Sequence, residues 1–244
     1  MSSGRFVELS HPIDAGMVTY PGLPGPAVSE FLTREASRGK YAEGTTFSIG
    51  RVDMVANTGT YVDAPFHRFA DGGDVADLPL EKLADLEAVV IEATSAGRAV
   101  DSGLFGPGDF RGKAVLVRTG WSRHWRTGTY FENHPYLTRA AAERLVEAGA
   151  SFVGIDSLNI DDTRDGARPA HTALLSAGIP IAEHLTNLES LPASGFRIHC
   201  VPAPFHGMGS FPVRAYAIVR GSGSRPARTT TGTSRSARSD RASE

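Results

Sequence analysis

The chain has 244 residues, of which 41% are hydrophobic, 21% charged and 8% aromatic, enough for one large domain with a proper core. The 25 Lys and Arg stand against 27 Asp and Glu, a net charge of −2, so the balance gives no electrostatic reason for a nucleic-acid or anionic-membrane partner. The single cysteine, Cys200, excludes an internal disulfide framework and any multi-cysteine metal site. No apolar run approaches the roughly 18 residues of a membrane span, and the opening residues lack the apolar core of a signal peptide. A cytoplasmic protein is the expectation.

In chain order, strands are predicted at residues 45–52, 87–93, 113–118, 151–155, 179–182 and 214–219. Each is β-branched or aliphatic and bounded by Gly, Pro, Asp or Ser. A helix is predicted at 139–148: Thr138 can cap it, Ala141, Leu145 and Ala148 share one face, and Gly149 suits its C-terminal end. A second is predicted at 169–176, with Pro169 in its first turn and Gly178 beyond its end. The pattern predicts an α/β single domain with a mixed sheet over residues 1–220. Residues 221–244 contain no large apolar residue and five Arg against Asp240 and Glu244. They are expected to form a disordered Ser/Thr/Arg-rich tail.

The densest polar cluster runs Asn57-Thr58-Gly59-Thr60-Tyr61-Val62-Asp63-Ala64-Pro65-Phe66-His67. Gly59 allows a sharp turn and Pro65 fixes a second bend. Asn57, Tyr61, Asp63 and His67 can therefore converge on one spot, although Asn and Asp also commonly serve turns alone. The acidic group Asp161, Asp162 and Asp165 lacks a calcium-loop pattern and reads as solvated loop charge, and His134 as a surface residue.

The stretch TGTYVDAPFH resembles the signature H-x-G-T-H-x-D-x-P-x-H of the putative cyclase family, which includes bacterial kynurenine formamidase and isatin hydrolase. Four more segments are similar to the family in the same order. They are Leu9-Ser10-His11-Pro12-Ile13 with Tyr20-Pro21-Gly22, Thr119-Gly120-Trp121 leading to Val153-Gly154-Ile155-Asp156-Ser157, His171 with Glu183 twelve residues on, and Pro212-Val213-Arg214-Ala215. The resemblance implies a swivelling β/β/α type of fold, an enzyme, and a homodimer or higher homo-oligomer acting on a small molecule. Asn57 and Tyr61 stand where the family has metal-binding histidines. Of the family's ligands, Asp63, His171 and Glu183 remain, with His67 nearby. A carboxamide is a weak ligand and a phenol must ionise to bind well, so the expectation is no cofactor, with a divalent zinc or manganese ion held by Asp63, His171 and Glu183 as the alternative.

Without metal, His67 is suited to act as base, with Asp63 orienting it and Tyr61 donating to a developing oxyanion, while His171 and Glu183 form a second acid–base pair. Asn57, Phe205, His206 and Trp121 are the expected substrate-binding residues. The favoured reading is a cyclase or cyclase/dehydratase closing a ring on a polyketide-like, multi-carbonyl intermediate of antibiotic biosynthesis. The first alternative is a metal-dependent hydrolase of a formamide, lactam or lactone. The second is a non-catalytic binding paralogue.

Overall fold

The computed structural model describes residues 4–220, so the expected tail at 221–244 lies outside the described residues. In chain order the strands are β1 Arg5–Glu8, β2 Ala27–Leu32, β3 Ile49–Asp53, β4 Tyr61–Asp63, β5 Leu86–Glu92, β6 Ala99–Val100, β7 Ala114–Arg118, β8 Tyr136–Leu137, β9 Phe152–Ile155, β10 Ile181–Glu183, β11 Phe196–His199, β12 Ser210–Pro212 and β13 Tyr216–Val219. The helices are α1 Arg34–Ser37, α2 Arg139–Glu147 and α3 Pro169–Ser176. Nine strands form one mixed sheet in the order β1-β13-β11-β5-β7-β9-β10-β4-β12.

The centre of that sheet is parallel, with β5, β7, β9 and β10 side by side. Their apolar runs fit that position, because a parallel strand is covered on both faces. Ala114, Val115, Leu116 and Val117 of β7 are all fully buried. One face packs on α2 and α3 through Val115, Val117, Leu145, Val153, Leu174 and Ile181. The other packs a second cluster that includes Leu9, Val62, Leu116, Phe152, Phe196 and Cys200. Burial there pushes the Cys200 thiol up to about 12, so it is an inert filler.

Helix α2 begins at its expected cap, and α3 begins at Pro169 with no side-chain cap. Thr138 Oγ1 accepts from the Ala141 backbone N at 3.1 Å, and Ala141, Leu145 and Ala148 face the core. The sheet also curls. Strand β12 forms one edge and β13 lies next to the other, yet only residues 213–215 separate them. Ser10 ties the two ends together: its Oγ donates to Val213 O at 2.9 Å and accepts from Ala215 N at 2.7 Å.

Several elements depart from the sequence expectation. The strand expected at 45–52 is β3, shifted toward its C-terminal end, and it joins β2 in a separate two-stranded ribbon. Strands β1, β11 and β12 have only three or four residues, too few to show a period. His134 is buried rather than on the surface, with its Nδ1 3.1 Å from Pro135 O. Among the described residues no helix is long and apolar enough to cross a membrane.

Candidate active site

Tyr61 and Asp63 alternate with Val62 on β4, so they leave one face of the strand while Val62 enters the second core. Antiparallel pairing sets their neighbours. Strand β10 lays Glu183 opposite Tyr61, and β12 lays Ser210 opposite Asp63. The turn Pro65–His67 then folds His67 back toward the strand. Gly209 makes this possible, since a Cβ there would stand 2.5 Å from His67 Cα.

Each pairing becomes a side-chain contact. The Tyr61 hydroxyl donates to Glu183 Oε2 at 2.5 Å, and Tyr20 OH lies 3.1 Å from it. Asn159 Nδ2 donates to Tyr20 OH at 2.9 Å, while the Ile160 backbone N donates to Glu183 Oε1 at 2.6 Å. Ser210 Oγ donates to Asp63 Oδ1, lies 3.0 Å from His67 Nδ1 and accepts from Asn57 Nδ2 at 3.1 Å.

His171 enters from the first turn of α3. Asp161 fixes it three times over: Oδ1 accepts from Ala170 N at 2.6 Å, and Oδ2 meets His171 N at 3.0 Å and Nδ1 at 2.7 Å. Asp161 is fully buried, so it is not the solvated loop charge expected from sequence. The carboxylate takes the Nδ1 proton side of the ring and turns Nε2 toward Asp63 Oδ2 at 3.5 Å and Glu183 Oε1 at 3.6 Å.

Burial alone would lower the His171 pKa, but the hydrogen bond its ring makes to the Asp161 carboxylate and the nearby Asp63 and Glu183 charges reverse this and lift it to about 10. Burial lifts Glu183, the His171 charge pulls it back, and Asp63 adds to the rise, leaving it near 7. Burial, then the Glu183 charge, holds the Tyr61 phenol well above its usual range. Tyr61 therefore stays protonated and acts as a donor to Glu183 rather than as an ionised ligand.

A cavity of about 370 Å³ opens on this cluster, lined by Tyr20, Leu23, Asn57, Tyr61, His67, Arg68, Asn159, Arg168 and His171. Three expected binding residues are not in its wall. Phe205 stacks on Phe211 at 4.5 Å, His206 is largely exposed beside Asp74, and Trp121 Nε1 donates to Tyr130 O at 3.0 Å. Sequence reasoning missed Ser210, Asn159, Asp161 and the two arginines. Only Tyr20 carried a signal, through the opening segment.

The donors suit a divalent cation. Asp63, His67 and His171 each offer a ligand atom, and these atoms lie within 4.8 Å of one another. Asp63 Oδ2 is buried with no hydrogen-bond partner and faces His171 Nε2 at 3.5 Å, a position where a divalent cation would take the place of the imidazole proton. Two imidazoles and a carboxylate match a catalytic zinc set with one position left for water or substrate. The expected ligand Glu183 is instead occupied by Tyr61 and Ile160 N, and His67 takes its place in the cluster.

A sequence profile described as Putative cyclase matches residues 7–162, more than half of the chain. The chain belongs to this cyclase family. It resembles kynurenine formamidase from Bacillus cereus, at 27% identity over 88% of this chain and 98% of the relative. Kynurenine formamidase from Geobacillus thermodenitrificans is 28% identical over 86% and 95%. Isatin hydrolase A from Labrenzia aggregata superposes with a TM-score of 0.74 at 24% identity, covering 89% of this chain and 94% of that one. A protein from Bacillus stearothermophilus described as a predicted metal-dependent hydrolase superposes at 0.71 with 25% identity, covering 90% and 100%.

These relatives correct two expectations. The near full-length relatives are named as kynurenine formamidases, which are hydrolases, so the ring-closing, polyketide reading gives way to the hydrolase alternative for this cyclase-family enzyme. The expectation of no cofactor gives way as well, because the donor cluster and the neighbours' descriptions both favour the metal alternative.

Proposed function

We propose that the chain is a metal-dependent hydrolase of a small amide, with a formamide or lactam as the first substrate type. The observation that carries this is the Asp63–His67–His171 cluster beneath an open cavity, with a buried carboxylate oxygen that accepts no hydrogen bond. A zinc or manganese ion held there by Asp63, His67 and His171 would supply an activated water and polarise the scissile carbonyl.

The chain's own groups have separate tasks in this reading. Asp161 holds the His171 ring with Nδ1 toward itself and Nε2 toward the cluster, where a bound cation would displace the Nε2 proton. Ser210 spaces Asp63 from His67 and is itself braced by Asn57. Tyr61 and Tyr20 face the cavity and both reach Glu183, which does not. A proton released at the cavity wall can therefore pass through the Tyr61 hydroxyl to Glu183 Oε2 and return to the leaving nitrogen. Asn57 and Tyr61, where relatives' motif has imidazoles, act here as braces and donors.

The test is turnover by zinc- or manganese-loaded protein on a panel of arylformamides, lactams and lactones. Hydrolysis of at least one member is expected, with kcat/KM falling roughly 100-fold or more in His171→Ala. No hydrolysis by metal-loaded protein anywhere in the panel contradicts the reading.

A further inference from the structure

The cavity wall carries two guanidinium groups that the reading above does not use. Arg68 follows His67 directly, and Arg168 stands three residues before His171, so both flank the two imidazoles of the cluster. Arg68 Nε donates to Thr172 Oγ1 at 3.2 Å, and Arg168 donates from a terminal nitrogen to Asp162 O at 3.2 Å. Both partners are uncharged acceptors. Among the described residues, Asp162 pairs with Arg98 and Arg164, and neither Arg68 nor Arg168 belongs to an ion pair.

Three features say that these charges point to a ligand rather than to the fold. Each guanidinium offers five donors and gives one hydrogen bond within the protein, to an uncharged acceptor; Arg68 also lies over the Phe69 ring at 5.3 Å, and most donors of both groups stay open toward the cavity and solvent. Arg168 is also held at φ 47° and ψ 59°, a left-handed conformation that a residue with a Cβ rarely takes, immediately before Pro169. And the N-terminus of α3 is already answered by Asp161, which accepts from Ala170 N and His171 N, so the helix end offers no rival anion site.

We infer that Arg68 and Arg168 form a carboxylate-recognising rim, and that the substrate is a small anionic amide whose carboxylate lies a few atoms from the scissile bond. The inference rests on the hydrolase reading for the scissile bond, but the rim itself stands on the arginines alone. A cavity of about 370 Å³ suits a small molecule of this kind. The carboxylate would meet the planar forks while the amide carbonyl reached the Asp63–His67–His171 end.

The test compares two compounds of equal shape and different charge, 2-formamidobenzoate and 2-formamidobenzamide, on zinc-loaded protein. Wild type is expected to favour the benzoate about tenfold or more in kcat/KM, through KM, as one charge-assisted contact would give. Arg68→Gln and Arg168→Gln each remove most of that preference. Arg168→Gly provides a second variant whose backbone accepts the left-handed geometry, and Arg164→Gln, on the same loop but outside the cavity wall, keeps the preference. Equal use of both compounds by wild type, or a preference untouched by all three arginine variants at 68 and 168, overturns the inference. If neither compound is cleaved, the hydrolase reading has failed on this pair and binding decides the rim. Tighter binding of the benzoate that depends on Arg68 and Arg168, measured by ligand-observed NMR, supports it, and equal binding of the two overturns it.

Discussion

Asp161 and Ser210 carry no reacting atom, yet they fix the ones that do. Replacing Asp161 by Asn keeps the shape but removes the charge that orients the His171 ring. Zinc affinity, read by competition with a chelating dye, should fall about 10- to 100-fold; unchanged affinity would mean that His171 is oriented by something else. Ser210→Ala leaves Asp63 Oδ1 and the Asn57 amide without their partner in a buried place. A loss of about 1–3 kcal/mol in urea unfolding is expected. His11 supplies a pH signature away from the cluster. Stacked on Trp125 at 4.2 Å, it is held down to about 4 by burial and then by the Arg126 charge. An unfolded histidine binds its proton near 6.5, so the unfolded state protonates first as acid is added. Stability contributed by neutral His11 is therefore full above about pH 6.5 and lost as pH falls through about 4. The urea midpoint of His11→Gln should change less than that of wild type between about pH 7 and about pH 5.

At the scale of elements, the site is a matter of register. Strand β4 has three residues, but its pairing with β10 and β12 places Glu183 and Ser210 against Tyr61 and Asp63. Gly209 lets that arrangement close over His67, and Gly209→Ala would drive a methyl group into the His67 backbone. A destabilisation of roughly 2 kcal/mol or more is expected, with loss of metal binding; a variant that melts and binds zinc as wild type does would remove Gly209 from the account. The polar cluster from Asn57 to His67 was legible in the sequence because its residue types are rare together, and the motif supplied His171 and Glu183. Ser210 was not, since a serine in a three-residue strand has no pattern until its partner strand is known. Asp161 was hidden by its acidic neighbours: Asp162 pairs with arginines near the surface, while Asp161 turns inward to α3. Phe205, His206 and Trp121 lie outside the lining of this cavity, since an aromatic or imidazole near a motif carries no direction in the sequence.

For the whole molecule, the four central strands were readable from their apolar runs, α2 from its Thr138 cap and α3 from Pro169 in its first turn. The curl was not, because it depends on the short link from β12 to β13. The ribbon of β2 and β3 raises the question of assembly. Phe31 is 75% exposed, with Val28, Phe47, Ile49 and Val52 also open to solvent, and two strands alone are marginal in water. A homodimer using this ribbon is the expected outcome in sedimentation, with Phe31→Glu shifting it toward monomer; a wild-type monomer at micromolar concentration would exclude that use of the surface.

The most direct test of the central claim is the metal content of tag-free protein, measured by elemental mass spectrometry after zinc or manganese loading and exhaustive dialysis. The account predicts about one retained equivalent per chain, lost when Asp63 or His171 is replaced by Ala. Protein that retains no metal, or retains it equally in both variants, would contradict it.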